Sequence, residues 1–170
     1  MITLEPITRQ NALIFKAARL RALQDAPSAF GSTYAKESQL TDADWFKRAA
    51  DWSGERKILY LATDGDAGNA PCGIGGTLLD PDDAIRAQLV SMWTAPTHRQ
   101  RGVGRLIVNE AIAWARLRGA HTVQLMVTSV NQTAITFYHR LGFTLTGRTE
   151  PYPNDPAVIE YEMSRPVVPL

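Results

Sequence analysis

The chain's 170 residues are 45% hydrophobic and 21% charged, which suits one folded domain over residues 1–170 and excludes a disordered or fibrous chain. Its longest apolar runs, 58–62 and 111–115, hold five residues and cannot span a bilayer, and neither a secretory apolar core after MITLEPITRQ nor a second partner for Cys72 is present, which points to a reducing cytoplasm. Eighteen Lys+Arg against seventeen Asp+Glu leave +1, too little for general attraction to nucleic acid or acidic membranes.

Periodicity predicts a short strand at 2–4, ended by Pro6, and a helix over 11–23 with Leu13, Ala17, Leu20 and Leu23 inward. A second helix opens at Thr41, with Asp44 in its first turn and Trp45, Ala49 and Trp52 as its stripe. Strands follow at 57–63, 72–79 and 87–94, separated by turn clusters at 64–69 and 80–83. A helix over 103–118 turns Leu106, Ile107, Ala111, Trp114 and Ala115 inward and stops at Gly119. A strand at 122–128, a helix at 131–141 stopped by Gly142, and strands at 143–149 and 158–163 around a turn-rich 150–156 complete the chain. The order β-α-α-β-β-β-α-β-α-β-β is an α/β arrangement, a mixed sheet with helices on its faces and no internal repeat.

Charge is unevenly placed. Residues 84–148 hold eight arginines and one acid, Glu110, for +7, while the remainder carries −6. Solvated helix faces account for this as well as a polyanion site does. Within that segment, the strand at 87–94 runs through Ala95-Pro-Thr-His-Arg-Gln-Arg-Gly-Val-Gly104 directly into a helix. Gly102 and Gly104 allow a tight turn and close approach of a ligand to the backbone. The first amides of the following helix lack intrahelical acceptors and sit at the positive end of its dipole, where phosphate oxygens bind. Arg99, Arg101 and Arg105 add three cations. A Walker loop is excluded because Arg105 and Leu106, not Lys and Ser/Thr, follow the last glycine; Ile107 replaces the third glycine of a dinucleotide fingerprint.

The second constellation is Asn131-x-x-Ala134-x-x-x-Tyr138-x-x-x-Gly142-Phe143. Seven positions are about two helical turns, so Asn131 and Tyr138 share a face with the small Ala134 between them. Taken singly, Asn131 is an ordinary N-cap and Tyr138 an ordinary half-buried aromatic.

Residues 94–104 resemble the acyl-CoA-binding loop of the GNAT N-acetyltransferase superfamily, with Arg99, Gly102 and Gly104 at its Arg/Gln-x-x-Gly-x-Gly/Ala positions. The Asn-x-x-Ala-x-x-x-Tyr pattern followed by Gly-Phe matches the same family, one helix and one strand later. The resemblance is strong over residues 87–145 and rests on element order elsewhere. It implies the GNAT fold: a mixed, mostly antiparallel central sheet of six to seven strands flanked by about four helices. It implies transfer of an acetyl group from acetyl-CoA to a primary amine of a small molecule or of a peptide or protein, by direct attack in a ternary complex without a metal. By resemblance, amides of Gln100, Arg101, Gly102, Val103, Gly104 and Arg105 bind the CoA pyrophosphate beside Arg99. Main-chain groups of Met92, Trp93 and Thr94 align the pantetheine arm and acetyl carbonyl. Asn131 and Ala134 adjoin the pantetheine, and Tyr138 is the general acid at the sulfur, suited by a phenol pKa of roughly 10. The family often forms homodimers, and nothing in the sequence decides this.

A base is also required, because the acceptor arrives as an ammonium ion. Many relatives carry a glutamate on the strand before the loop, where this chain has Val90. Ser91 or Thr94 could hold a water instead, and Glu37, in the segment that roofs the acceptor site in the family, is the candidate carboxylate. Phe30, Tyr34, Trp45, Trp93 and Tyr152 are candidates for an acceptor pocket or for core. Asp80, Asp82 and Asp83 read as turn formers, and Cys72 as a small core residue. The missing strand carboxylate leaves a non-catalytic acyl-CoA-sensing module as the rival reading.

Overall fold

The structure is a computed structural model that describes residues 1–52 and 54–168. Seven strands form one sheet: β1 (Ile2–Pro6), β2 (Lys57–Asp64), β3 (Ala70–Leu79), β4 (Arg86–Thr94), β5 (Thr122–Thr128), β6 (Thr144–Tyr152) and β7 (Asp155–Pro166). Their spatial order is β1-β2-β3-β4-β5-β7-β6, and every pairing is antiparallel except β4 with β5. The helices are α1 (Ala12–Asp25), α2 (Tyr34–Glu37), α3 (Asp42–Asp51), α4 (Val103–Leu117) and α5 (Gln132–Arg140). Among the described residues no helix is long and apolar enough to cross a membrane.

Alternation along each strand divides the core between the two sheet faces. On one face α1 and α3 bury Phe15, Trp45, Leu59, Leu61, Ile74 and Trp93 together. On the other, α4 and α5 cover Leu89, Val123, Leu125, Val127, Phe143 and Met163. α4 lies close to the sheet because β3 is glycine-rich: a Cβ on Gly73 would come within 2.8 Å of Val103, and one on Gly75 would collide with Met92 and Ile107.

Three expectations from the sequence need correction. The buried stripe of α1 is Ala12, Phe15, Ala18, Arg19, Ala22 and Leu23, whereas Leu13 and Ala17 face outward. Leu106 of α4 is likewise exposed. The turn-rich 150–156 is mostly strand, since β6 runs to Tyr152 and β7 starts at Asp155. Pro151 is tolerated because β6 is the sheet edge, and Pro156 because the ladder shifts register between Pro151 and Tyr152. The four-residue α2 is an addition, capped by the Thr33 hydroxyl accepting from the Lys36 amide at 3.2 Å.

Candidate active site

β4 and β5 pair at only three positions, Arg86 with Thr122, Ala87 with Val123 and Gln88 with Gln124. Beyond them the strands diverge and leave a gap in the middle of the sheet. The side of the gap on β4 is shaped by a bulge. Its register against β3 passes from Gly76–Val90 to Ile74–Trp93, and Ser91 takes a left-handed φ of 59°. The extra residue inverts the alternation, so Leu89 and Met92, three apart, both lie on the α4 side. Holding a non-glycine residue at positive φ is costly, and such strain concentrates where a ligand uses the backbone.

The gap opens into a cavity of about 490 Å³. Val90, Ser91 and Met92 line one side, and Leu125 through Thr128 line the other. Asn131, Ala134 and Tyr138 reach the same cavity from α5, so the three positions read together from the sequence meet one space. Asn131 also caps α5, its Oδ1 accepting from the Ala134 amide at 3.1 Å, which leaves its Nδ2 hydrogens for other partners. Tyr138 is 8% exposed and packs edge-on against Phe137 and Phe143. Burial pushes its phenol pKa upward.

At the end of β4 the chain turns through Pro96–His98 and reaches α4 with Gln100 at φ 62° and Gly102 at φ 83°. This αL geometry needs no Cβ at Gly102 and aims consecutive amides into one concavity. Leu106 is the first residue of α4 whose amide finds an acceptor in the preceding turn, at Gly102 (3.0 Å). The amides of Val103, Gly104 and Arg105 therefore remain for a ligand. Gly104 answers a packing need, since a Cβ there would stand 2.9 Å from the Phe137 ring. The arginines do not all face outward. Arg99 turns back to the Asp25 carboxylate and the Thr94 carbonyl, and Asp25 also accepts from the Trp93 indole at 2.9 Å. Arg101 lies 3.4 Å from Asp64, while Arg105 is exposed. Asp64 is buried under the loop and held at a pKa of about 2, first by the His98 hydrogen bond, against burial, and then by the Asp66 amide and the terminal amine.

The cavity is roofed by the Pro27–Ala29 turn and the residues after it. Tyr152 of β6 donates to the Phe30 carbonyl at 2.6 Å or the Pro27 carbonyl at 2.9 Å, and Asn154 donates to Phe30 and Ser32 carbonyls. Phe30 and Tyr152 line the cavity; Trp45 and Trp93 lie in the core beneath α1 and α3, and Tyr34 is exposed.

Glu37 has another task than the one expected of it. Its Oε1 and Oε2 accept from Arg19 Nε and Nη2 at 3.0 Å each, and Arg48 Nη1 donates to Oε1 at 2.6 Å. Burial would raise its pKa, but the hydrogen bonds and charge of Arg19, then Arg48, bring it down to about 2. A carboxylate so held is a very weak base, and it is Arg19, not Glu37, that lines the cavity. The site also contains carboxylates that the motif reading passed over: Glu150, Glu160 and Glu162 on β6 and β7. Glu160 and Glu162 are two apart on one strand and so face one side, a pattern visible in Glu160-Tyr-Glu162 once the strand is recognised.

An unzipped mixed sheet with an amide-rich turn at one mouth defines a fold that admits an extended ligand between its strands. The model of the acetyltransferase (GNAT) family matches residues 20–143, and the chain belongs to that family. Streptothricin acetyltransferase from Streptomyces lavendulae is 42% identical over 62 residues, 36% of this chain and only 33% of that protein. The acetyltransferase of the GNAT family from Streptococcus pneumoniae superposes with a TM-score of 0.80 at 20% identity, over 99% of this chain and 100% of that one. The yncA protein of Salmonella typhimurium, solved with its cofactor acetyl-CoA, gives a TM-score of 0.78 at 15% identity, over 100% and 96% of the two chains. The GNAT fold anticipated from the sequence, a mixed and mostly antiparallel seven-stranded sheet flanked by helices, is thus the fold observed.

Proposed function

We propose that this chain is an N-acetyltransferase that moves an acetyl group from acetyl-CoA to a primary amine by direct attack in a ternary complex. The observation that supports this reading most is the alignment of three features: free amides after a left-handed turn, the gap between β4 and β5, and a buried phenol in the same cavity. A diphosphate fits the turn, where amides of residues 100–105 donate and Arg101 and Arg105 supply charge. Bound there, acetyl-CoA supplies an acyl group activated as a thioester. The backbone of Met92, Trp93 and Thr94 at the bulged strand end holds the donor arm and offers a fixed donor to the carbonyl oxygen. Asn131 Nδ2 and the small Ala134 shape the other wall.

Tyr138 acts on the sulfur. A phenol is already protonated throughout the neutral range, and burial, which raises the Tyr138 pKa further, keeps it a hydrogen-bond donor that yields its proton only as charge builds on the departing sulfur. For the acceptor, the name of the Streptomyces lavendulae relative favours a small-molecule amine over a peptide. A non-catalytic acyl-CoA-sensing module is the second reading, favoured by the apolar Val90 where relatives carry a base.

Calorimetric titration with acetyl-CoA tests donor binding, and thiol release with a panel of amines tests catalysis. Binding without thiol release from any amine would leave the sensing module; absence of binding at high micromolar donor would sink both readings. Tyr138→Phe should lower kcat on the order of 10²-fold while acetyl-CoA affinity stays within about twofold. Unchanged kcat would remove Tyr138 from the chemistry.

A further inference from the structure

If the chain is an acetyltransferase, its β4 carries no carboxylate to deprotonate the acceptor, and the charged groups lining the cavity can be taken in turn. Arg19 is held by Glu37, and Arg86 stands 3.6 Å from Asp83. Asp80 is a turn former whose oxygens accept from the Asp82 amide at 2.9 Å and the Gln88 side chain at 3.3 Å. Arg148 donates to Glu150 at 2.8 Å and lies 3.5 Å from Glu162, which also accepts from the Thr146 hydroxyl at 3.0 Å. Glu160 is left. Among the described residues its carboxylate accepts no hydrogen bond and pairs with no cation, yet it is half-buried in the cavity wall.

Resting on the acetyltransferase reading, we propose that Glu160 receives the acceptor's ammonium group and takes its proton, supplying the base that β4 lacks. The strand ladder fixes its place: Glu160 stands opposite Thr128 of β5, the last residue bordering the gap, and opposite Glu150 of β6. It therefore shares one cavity with the bulge at Ser91 and the phenol of Tyr138. The groups around it are Glu150 and Arg148 from β6, Glu162 from its own strand and Thr128 from β5, with Arg19 of α1 lining the cavity; the two arginines are already engaged by acids. Burial, and then the charge of Glu150, raise the Glu160 pKa, which makes it a stronger base than a solvated carboxylate. A cationic amine is the ligand that relieves both its desolvation and its missing partner.

The proton balance is complete without another reactant. One ammonium proton passes to the Glu160 carboxylate, and the freed nitrogen lone pair forms the N–C bond to the acetyl carbon. The C–S bond breaks with its electrons on sulfur, which takes the phenolic proton of Tyr138. Tyr138 recovers a proton from the acylated nitrogen through solvent, and Glu160 releases its own to water.

The test compares wild type, Glu160→Gln and Glu160→Asp by thiol release over a pH series. Acceptors are spermidine and lysine amide, which are charged at neutral pH, and 2,2,2-trifluoroethylamine, which is not. With the charged amines Glu160→Gln should lose turnover on the order of 10²-fold at neutral pH, the acid limb of kcat/KM should shift upward from the titration of Glu160 to that of the amine itself, and Glu160→Asp should recover part of the rate. With trifluoroethylamine the loss should be slight, because no proton has to be removed before attack. Acetyl-CoA affinity by calorimetry should be unchanged in all three proteins. Retention of wild-type turnover and acid limb by Glu160→Gln, or an equal loss with the uncharged amine, would overturn the role of Glu160 and leave the acetyltransferase reading standing. A wild-type protein that neither binds acetyl-CoA nor releases thiol would overturn both.

Discussion

Glu37→Gln is expected to weaken the fold by about 3 kcal/mol at neutral pH. The side chain keeps its volume but loses the charge that two guanidinium groups face, and Arg19, about one-tenth exposed, is left without a counterion. Arg19 also stacks on Phe30 at 4.7 Å, so it cannot leave without disturbing the cavity roof. The Glu37 carboxyl falls from an ordinary 4.5 to about 2, and at about 1.4 kcal/mol per pH unit the native pairing contributes roughly 3 kcal/mol. Breaking a buried ion pair by removing one partner typically costs about 3–5 kcal/mol, the same range from an independent direction. Because the folded-state pKa lies below the unfolded one, this stability is fully present above about pH 4.5 and drains away as pH falls toward about 2. Equilibrium urea unfolding of both proteins at neutral pH and across that acid window measures it. Wild type should lose stability through the window along a steeper slope than Glu37→Gln. A variant within about 1 kcal/mol of wild type at neutral pH, with an unchanged acid slope, would refute the assignment of Glu37 to structure.

Two further predictions concern the glycine turn and the core beneath α4. In Gly102→Ala the new methyl meets no atom within 4 Å, so only the φ of 83° is penalised; the donor-free turn already holds that φ, so about 1–2 kcal/mol of strain falls on folding stability while the acetyl-CoA Kd and kcat stay within about twofold. Urea unfolding reads the first and titration calorimetry the second, and a Kd raised about tenfold would mean that the turn leaves its left-handed form when empty. Cys72 is fully buried, and burial, then the charge of Asp64, raise its thiol pKa. It should therefore react with a disulfide reagent only as fast as the protein unfolds; rapid labelling of the native state would contradict its place beneath α4.

Legibility in the sequence followed the strength of local signals. α4 and α5 were readable because glycine, asparagine and dipole chemistry mark their ends, and Thr122–Thr128 because Val123, Leu125 and Val127 alternate without interruption. The inward face of α1 was not, since Leu13 and Ile14 sit on the outside and no apolar stripe stands out from the rest. The bulge at Ser91 is a tertiary event: Met92 fills the space that Gly75 leaves across the ladder, a match that spacing along one strand cannot reveal. The glycine-loop and asparagine–tyrosine motifs were legible as a pattern, whereas the acidic wall depends on the β6–β7 pairing, and prolines at 151, 153 and 156 made the turn of that hairpin look longer than the two residues that separate its strands. Glu37 looked available because its two arginine partners are 18 and 11 residues away and no motif links them.

Three paired residues are all that join β4 to β5, so two rows of peptide groups border an interval that no strand among the described residues occupies. Peptide groups are chemically uniform, and a guest recognised through them is indifferent to which side chains surround it. Under the proposed function, mutation can therefore redraw the acidic wall on β6 and β7, and with it the choice of acceptor, while the berth between β4 and β5 stays as it is.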